Sequence, residues 1–566
     1  MSENYDGGEA ILEAFRNLGV DYIISSPGSE WPPVWEALAR QRANEIDGPK
    51  YIDCWHESLA VAMAMGYTRY TGRLQAVLLH AGVGPLQGSM SIYGATQGEV
   101  PMLVCSGGSI TYGEDPEFDP GPQWVRNHGI VGGPSRLIDP LVKWSGQVNS
   151  PHTLYETVSR AGELAQRVPK GPAYLHVPLE IMLEKWPMPD KAAKVAPQPK
   201  TQPDPADVAR IARLIAASKR PIIVSETSGE DTTAFAALQE LADLASIPVV
   251  EPGTPTYANF PNNHPLHMGF DIKPHVETCD LFLVVGSSVP WYPPHAGPTN
   301  GTVVVIDENP IKGYMTYQNL QADHYLEGNI ASSLRLLIEA LKAQDPGESS
   351  VLQDRRQHWE SEHNRIFDGY RSAAAAVKDE RPIDPVWLCA AISDVMPENA
   401  IYVEETITHR QPIQRHISWS QAQSYFHPSG GLGMGLGQAL GVKLAAPERP
   451  VLALVGDGSF LYNPIVPALG AAKEIGLPIL IVVFNNGNYS AMKGSHLDFY
   501  PQGVAANTGI FHGVNISGPD YSTLIQPFGG YGERVEDPAE VKPALERALA
   551  AVSSGQTALL DVVLSR

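Results

Sequence analysis

Short, continuous apolar runs alternate with amphipathic stretches along most of the chain. Pro221–Val224, Leu281–Val285, Thr302–Ile306, Val451–Val455 and Ile479–Phe484 are rich in β-branched residues and apolar at nearly every position. A strand with one wet face would alternate polar and apolar residues, so unbroken runs predict strands buried on both faces. Ahead of them come a helical pattern at Gly8–Leu18 and strand-like segments at Tyr22–Ile24, Gln75–His80, Met102–Cys105 and Ala173–Val177; the chain closes on Ala558–Leu564. Strands that alternate with helical stretches are joined by crossovers, which predicts parallel sheets. Two polar stretches read as connectors: Trp186–Pro205, rich in Pro and Lys, and Ala343–Pro385, which holds a helical patch between QDPGESS and DERPIDP. The predicted class is α/β, with three domains at residues 1–185, 204–345 and 380–566, each a parallel sheet flanked by helices.

Composition narrows the partners. The 566 residues suit three or four domains. With 40 Lys and Arg against 62 Asp and Glu, the net charge of −22 disfavours nucleic acid and anionic membrane as main partners. Cys54, Cys105, Cys279 and Cys389 are scattered without zinc-type spacing, as expected in a reducing cytosol. The acidic N-terminus has no apolar signal core, and no apolar run approaches the roughly 18 residues of a membrane span. A cytoplasmic protein is expected.

The most informative stretch runs from Val451 to Asn488. Two apolar runs flank a helical segment; the first ends in Gly456-Asp457-Gly458 and the second in Asn485-Asn486-Gly487. In a parallel β-α-β unit both ends lie on one edge of the sheet, where ligands of open α/β sheets bind. Asp457 and Asn486 then offer hard oxygen atoms to a Mg²⁺ whose other positions are filled by phosphates and water. Alone, either tripeptide reads as a turn. Together, strand-GDGS-helix-strand-NNG resembles the signature of thiamine-diphosphate enzymes. The resemblance implies that Asp457, the Asn486 side chain and the Asn488 carbonyl hold Mg²⁺ (or Ca²⁺), which in turn holds the cofactor's diphosphate. It adds Gly456, Gly458, Ser459 and Tyr489 as cofactor contacts. The 29-residue step from Asp457 to Asn486 is slightly longer than in many relatives, and the surplus is placed in Leu461–Pro467.

The order of three α/β domains resembles the acetolactate synthase, benzoylformate decarboxylase and pyruvate decarboxylase branch of that family. There the first domain binds the pyrimidine, the third the diphosphate, and the middle one is structural or holds a second nucleotide. On its own, Glu57 reads as an acid in a first helical turn, favourable to the helix dipole. By resemblance it is the carboxyl group beside the pyrimidine, trading a proton that lets the cofactor's own amino group act as base. In Ser424–Gly441, Leu432 matches the wedge beneath the bent cofactor and the Gly430 carbonyl the acceptor for its amino group. Glu405-Thr406-Ile407-Thr408 matches a diphosphate-contacting loop, with Thr406 among its contacts. Ser29 and His80 match the serine and histidine of benzoylformate decarboxylases; as residues alone, His80 is equally a structural histidine or a proton carrier. Those enzymes take a second histidine from the middle domain, where this chain has Pro293, with His295 two residues later. Trp291, Tyr292, Met492 and His496 are candidate pocket residues. The first strand of the middle domain runs into Glu226, unfavourable beside a diphosphate, which argues against a second nucleotide. The long loop Thr111–Leu137 is a candidate cover.

The expected activity is therefore thiamine-diphosphate- and Mg²⁺-dependent cleavage or formation of a carbon–carbon bond beside a carbonyl. Non-oxidative decarboxylation or lysis of a 2-oxo or 2-hydroxy acid leads; an FAD-independent, acetolactate-synthase-like carboligase is the alternative. A 2-hydroxyacyl-CoA lyase is less favoured. So is a non-catalytic paralogue, because Glu57, Asp457 and Asn486 are all present. No strand leads into GxGxxG, which disfavours a nicotinamide dehydrogenase. The partner is a small carbonyl compound, and the resemblance implies a homodimer or homotetramer with sites shared between chains.

Overall fold

The computed structural model describes residues 5–114, 116, 119, 124, 133–188, 195–253, 255–313, 315, 322–344, 350–428 and 430–565. Most of the expected loop Thr111–Leu137 and the centre of the connector Trp186–Pro205 lie outside the described residues. Three parallel sheets follow one another. The first holds β1 (Tyr22–Ser26), β2 (Lys50–Asp53), β3 (Gln75–Leu79), β4 (Met102–Gly108), β5 (Trp144–Gln147) and β6 (Ala173–Pro178) in the order β2-β1-β3-β4-β6-β5. The middle one holds β7 (Pro221–Ser225), β8 (Val249–Val250), β9 (Leu281–Val285), β10 (Thr302–Asp307) and β11 (His324–Glu327) as β11-β10-β9-β7-β8. In the third, β12 (Ile401–Glu405), β13 (Tyr425–Phe426), β14 (Val451–Gly456), β15 (Leu480–Asn485), β16 (Tyr531–Val535) and β17 (Ala558–Val563) run β13-β12-β14-β15-β17-β16.

The first and third sheets share one order, and the middle sheet repeats its inner part. In each, the chain crosses to opposite sides of its first strand, so the order reverses between β1 and β3, between β7 and β9, and between β12 and β14. Helices leave such a point on opposite faces and open a crevice at the carboxyl ends of the two strands. These three crevices place Ser29 and His80, Glu226, and Asp457 respectively.

Helix Glu57–Thr71 and helix Gly435–Ala445 hold the first domain to the third. Both consist mostly of small and apolar residues and are buried nearly all round, as expected of helices inside a core. Glycines let their backbones touch: a Cβ on Gly66 would stand 2.2 Å from the Gln438 carbonyl, and one on Gly441 2.0 Å from that of Met63. Arg69, 5% exposed, ties in the middle domain. Its guanidinium donates to the carbonyls of Thr256 and His427, the Tyr257 hydroxyl and the Gln438 side chain, and so satisfies a buried charge across all three domains. The connector Ala343–Pro385 bears out the helical patch expected between QDPGESS and DERPIDP. It contains a 27-residue helix, Ser350–Ala376, whose narrow buried stripe is Arg355, Trp359 and His363. Arg355 donates to the carbonyls of Ser218 and Ala245 at the ends of two middle-domain helices.

Candidate active site

In the third crevice, β14 stops at Gly456 and a helix, Asp457–Tyr462, begins at the next residue. Asp457 is 3% exposed. Its Oδ1 accepts from the Gly458 amide at 2.8 Å and its Oδ2 from the Gly487 amide at 2.7 Å, so one carboxylate links the ends of β14 and β15. Burial pushes its carboxyl up to about 6 against those amides. It has no ion-pair partner among the described residues. Asn486, 5% exposed, accepts from the Asn488 amide at 3.0 Å and donates to Ser490 Oγ at 3.0 Å. A carboxylate, an amide oxygen and a backbone carbonyl form a hard-oxygen donor set, and a buried carboxylate lacking a counter-charge fits a divalent cation such as Mg²⁺ or Ca²⁺. Among the described residues no three His, Cys, Asp or Glu side chains cluster as a softer site would need.

Of the residues expected at the cofactor, Leu432, Gly456, Asp457, Gly458, Ser459, Asn486, Asn488 and Tyr489 line one cavity of about 110 Å³, with Thr408, His409 and Met492. Burial pushes His409 down to about 4, so it is neutral there. Glu405 anchors the Leu432 loop: its carboxylate accepts from the amides of Met434 and Gly435 and from Asn463 Nδ2. Asn463 in turn accepts from the Leu436 amide, and helix Asp457–Tyr462 breaks just there, ahead of Pro464. Thr406 and Gly430 lie outside the cavity lining. The Thr406 amide and hydroxyl both donate to Glu404, whose carboxyl is held down to about 2 although burial opposes it, because His427 and Arg410 sit against it. Gly430 has φ +74° and packs on Gln97, where a Cβ would meet the side chain at 2.4 Å.

Glu57, His80 and Ser29 gather at the first crevice, and none of them lines the Asp457 cavity. Glu57 opens its helix behind His56, whose Nδ1 accepts from the Ser58 amide. His80 follows β3, with Nδ1 2.8 Å from Oε2 of Glu30, a residue 2% exposed. That hydrogen bond and the charges of Glu30 and Glu57 raise the imidazole above its ordinary value, against burial. Ser29 is exposed beside them, and the loop is fastened by Trp31, whose indole donates to the Leu79 carbonyl at 2.9 Å. Trp291 is core, edge-on against Phe282, whereas Tyr292 is 75% exposed and is followed by a cis peptide to Pro293. His295 sits in the short turn Pro294–Ala296, and His496 is exposed on helix Ser490–Phe499 against Tyr500 and Phe511. Of the expected pocket residues, Met492 alone lines the cavity. Glu226 accepts from Ser287 Oγ and the amides of Ser288 and Val289, so the chain's own carboxylate takes up these donors at the middle crevice.

Two residues escaped the sequence reading. Glu30 directly follows Ser29 in the loop already singled out, and Asn463 lies in the span Leu461–Pro467 marked as unusually long.

Three domain families match in the order of the three sheets. Residues 5–128 match the thiamine pyrophosphate enzyme N-terminal TPP-binding domain, 208–337 its central domain and 408–562 its C-terminal TPP-binding domain. The chain is 26% identical to a probable acetolactate synthase large subunit of Methanocaldococcus jannaschii, over 99% of this chain and 92% of the other. It is 25% identical to a benzoylformate decarboxylase of Pseudomonas aeruginosa, over 96% of each. A thiamine diphosphate-dependent 4-hydroxybenzoylformate decarboxylase of Rhodococcus jostii has the same fold, with a TM-score of 0.79 over 99% of both chains at 24% identity.

Proposed function

The chain belongs to the thiamine-pyrophosphate enzymes, and on that premise we propose that it is a Mg²⁺-dependent lyase releasing carbon dioxide or an aldehyde from a small 2-oxo or 2-hydroxy acid. The observation that carries the reading is the pairing of a cavity that holds the Asp457 and Asn486 oxygen donors, beside the β12/β14 crevice, with a histidine backed by the buried Glu30 at the β1/β3 crevice. Thiamine diphosphate, when bound, supplies a nucleophilic carbon and a sink for the electron pair left when the bond beside the carbonyl breaks. Asp457, Asn486 and the Asn488 carbonyl hold the metal. Gly458, Ser459, Tyr489 and Thr408 would meet the diphosphate, and Leu432 would support the rings. Glu57 holds the proton exchanged with the pyrimidine ring nitrogen. His80 gives or takes a proton at the reacting oxygen, with Ser29 exposed beside it to orient the substrate.

The active site is shared between two chains. The Asp457 cavity, about 110 Å³, falls well below the roughly 300–1,000 Å³ of complete ligand pockets, and it lacks Glu57. Near Glu57, helix Val83–Gln97 exposes Val83, Leu86, Met90 and Tyr93 on one face. Helix Ser490–Phe499, beside the cavity, has no buried residue. A second copy that covers these surfaces would bring the first crevice of one chain to the third crevice of the other. Four free, buried cysteines favour a reducing compartment, and no helix among the described residues is long and apolar enough to cross a membrane.

A carboligase is the second reading, favoured by the likeness to acetolactate synthase and by Pro293 standing where a second histidine would be. Product analysis with pyruvate and benzoylformate separates the two: free aldehyde and carbon dioxide support the lyase, acetolactate the carboligase. A flat calorimetric titration with thiamine diphosphate and Mg²⁺ would refute both.

A further inference from the structure

We propose that Glu30 is the positioning residue of the first crevice, fixing the tautomer of His80 so that its Nε2 faces the reaction. The inference rests on the reading of His80 as the proton carrier. Glu30 is 2% exposed and Oε2 lies 2.8 Å from His80 Nδ1. A carboxylate only accepts, so Nδ1 carries the hydrogen in that bond and the lone pair of neutral His80 sits on Nε2. The proton traffic then balances: Nε2 takes one proton from the reacting group and later returns it, while Nδ1–H stays on Glu30. A buried acid behind a histidine does the same for other proton-transferring sites.

The local packing is built around this contact. A Cβ on Gly28 would stand 2.0 Å from His80 Nδ1 and 2.1 Å from Glu30 Oε2, so any larger residue there would wedge the pair apart. Glu30 is pressed against Gly107, where a Cβ would meet the Glu30 Cβ at 2.4 Å. Its other oxygen, Oε1, is buried with no hydrogen-bond partner among the described residues. A carboxylate held this way is costly to the fold, and such groups persist where a function retains them. The remaining titratable neighbours do not replace it. Glu57 acts on His80 only through its charge. His176 on β6 is pushed down to about 4 by burial and so stays neutral; its Nδ1 lies 3.4 Å from Ser106 Oγ, which is itself bonded to Tyr174.

The test is a pH titration of His80 by ¹⁵N side-chain NMR in the full-length, ¹⁵N-histidine-labelled protein, with and without thiamine diphosphate and Mg²⁺, the signal assigned with His80→Gln. In wild type, His80 titrates above 6.5 and its neutral form carries the hydrogen on Nδ1. In Glu30→Gln the midpoint falls to the ordinary value of 6.5 or below, because the charge and the bond that favour imidazolium are gone. The matching limb of the kcat/KM pH profile moves with it, and kcat/KM falls roughly ten- to a hundredfold, part of what general acid–base catalysis supplies. Glu30→Asp keeps the charge but shortens the reach, and lowers the midpoint less; it is read in place of Glu30→Gln if that variant does not fold. An unchanged midpoint and tautomer in either folded variant overturns the proposal. A protein inactive on every 2-oxo acid, yet with the predicted titration, would refute the lyase reading and leave the Glu30–His80 pair standing.

Discussion

Glu226 offers a measurement whose sign follows from burial, the larger of two opposed effects on its carboxyl group. Its carboxylate sits at the switch point of the middle sheet, 6% exposed, with Ser287 Oγ and the amides of Ser288 and Val289 as its hydrogen-bond donors. No basic side chain pairs with it among the described residues. Burial pushes it up from 4.5 to about 7, against those hydrogen bonds. Because the folded-state value lies above the unfolded one, the carboxyl group favours the folded state at low pH, and that contribution is lost as pH rises from about 4.5 through 7. A displacement of this size, at about 1.4 kcal/mol per tenfold change in proton affinity, costs about 3 kcal/mol once the group is ionised.

Glu226→Gln removes the ionisation and keeps the shape. The amide carries a fixed cost of about 1–3 kcal/mol if its own N–H groups find no partner, and that offset does not vary with pH. Scanning calorimetry of both proteins from pH 4.5 to 8 should show the variant gaining on wild type by an amount equivalent to about 3 kcal/mol across that range and levelling off above pH 7. For a domain of this size the shift is on the order of 10 °C. A difference that stays constant with pH would mean that Glu226 is compensated or solvated in the folded protein and would refute the reasoning.

Asp457→Ala should abolish Mg²⁺-dependent binding of thiamine diphosphate in calorimetry, and wild type in EDTA should behave likewise; equal affinity with and without EDTA would contradict the metal assignment. Gly441→Ala should destabilise the protein by about 1–3 kcal/mol in denaturant titrations, since the new methyl group meets the Met63 carbonyl at 2.0 Å and backbone cannot step aside. Glu57→Gln and Asp457→Ala should each be nearly inactive alone, but co-refolded in equal amounts should recover about a quarter of wild-type activity, as random pairing of two-site dimers gives. No recovery, or a wild type active as a monomer in light scattering, would place the site within one chain.

The strands buried on both faces were legible in the sequence because nothing interrupts their apolar runs: β7, β9, β10, β14, β15 and β17 match the predicted segments to within a residue or two. β5, β11 and β16 were not, for a simple reason. Trp144–Gln147, His324–Glu327 and Tyr531–Val535 are edge strands with one neighbour, partly exposed, and their residues carry no apolar run. β12 was missed for the opposite reason. It is wholly buried, but its last two residues are Glu404 and Glu405, charged positions that cut the apolar run short. Each finds partners from distant segments, Glu404 in Arg410 and His427 and Glu405 in the amides of Met434 and Gly435. The candidate site followed the same division. Asp457 and Asn486 stand at strand ends fixed by local pattern, and the structure brings them to one cavity. The Glu30–His80 contact spans 50 positions and could not be read from spacing.

One strand order, used three times, serves three ends. Each sheet opens a crevice where its order reverses, and what the chain places there decides its use. Beside the β12/β14 crevice the ends of β14 and β15 present oxygen atoms around a carboxylate without a counter-charge, a donor set that fits a cation. At β1/β3 a buried acid backs a histidine, the place proposed for proton transfer. At β7/β9 the chain supplies the carboxylate itself, and Glu226 already occupies the amides of Ser288 and Val289 that an anion would seek. The first and third domains are joined through helices Glu57–Thr71 and Gly435–Ala445, pressed backbone to backbone through their glycines, and this contact leaves Glu57 outside the Asp457 cavity. On the proposed reading, in which the cofactor needs both crevices, the opposite crevice of a second copy would complete the site, and the packing of these two helices is what would leave a single chain with half of it.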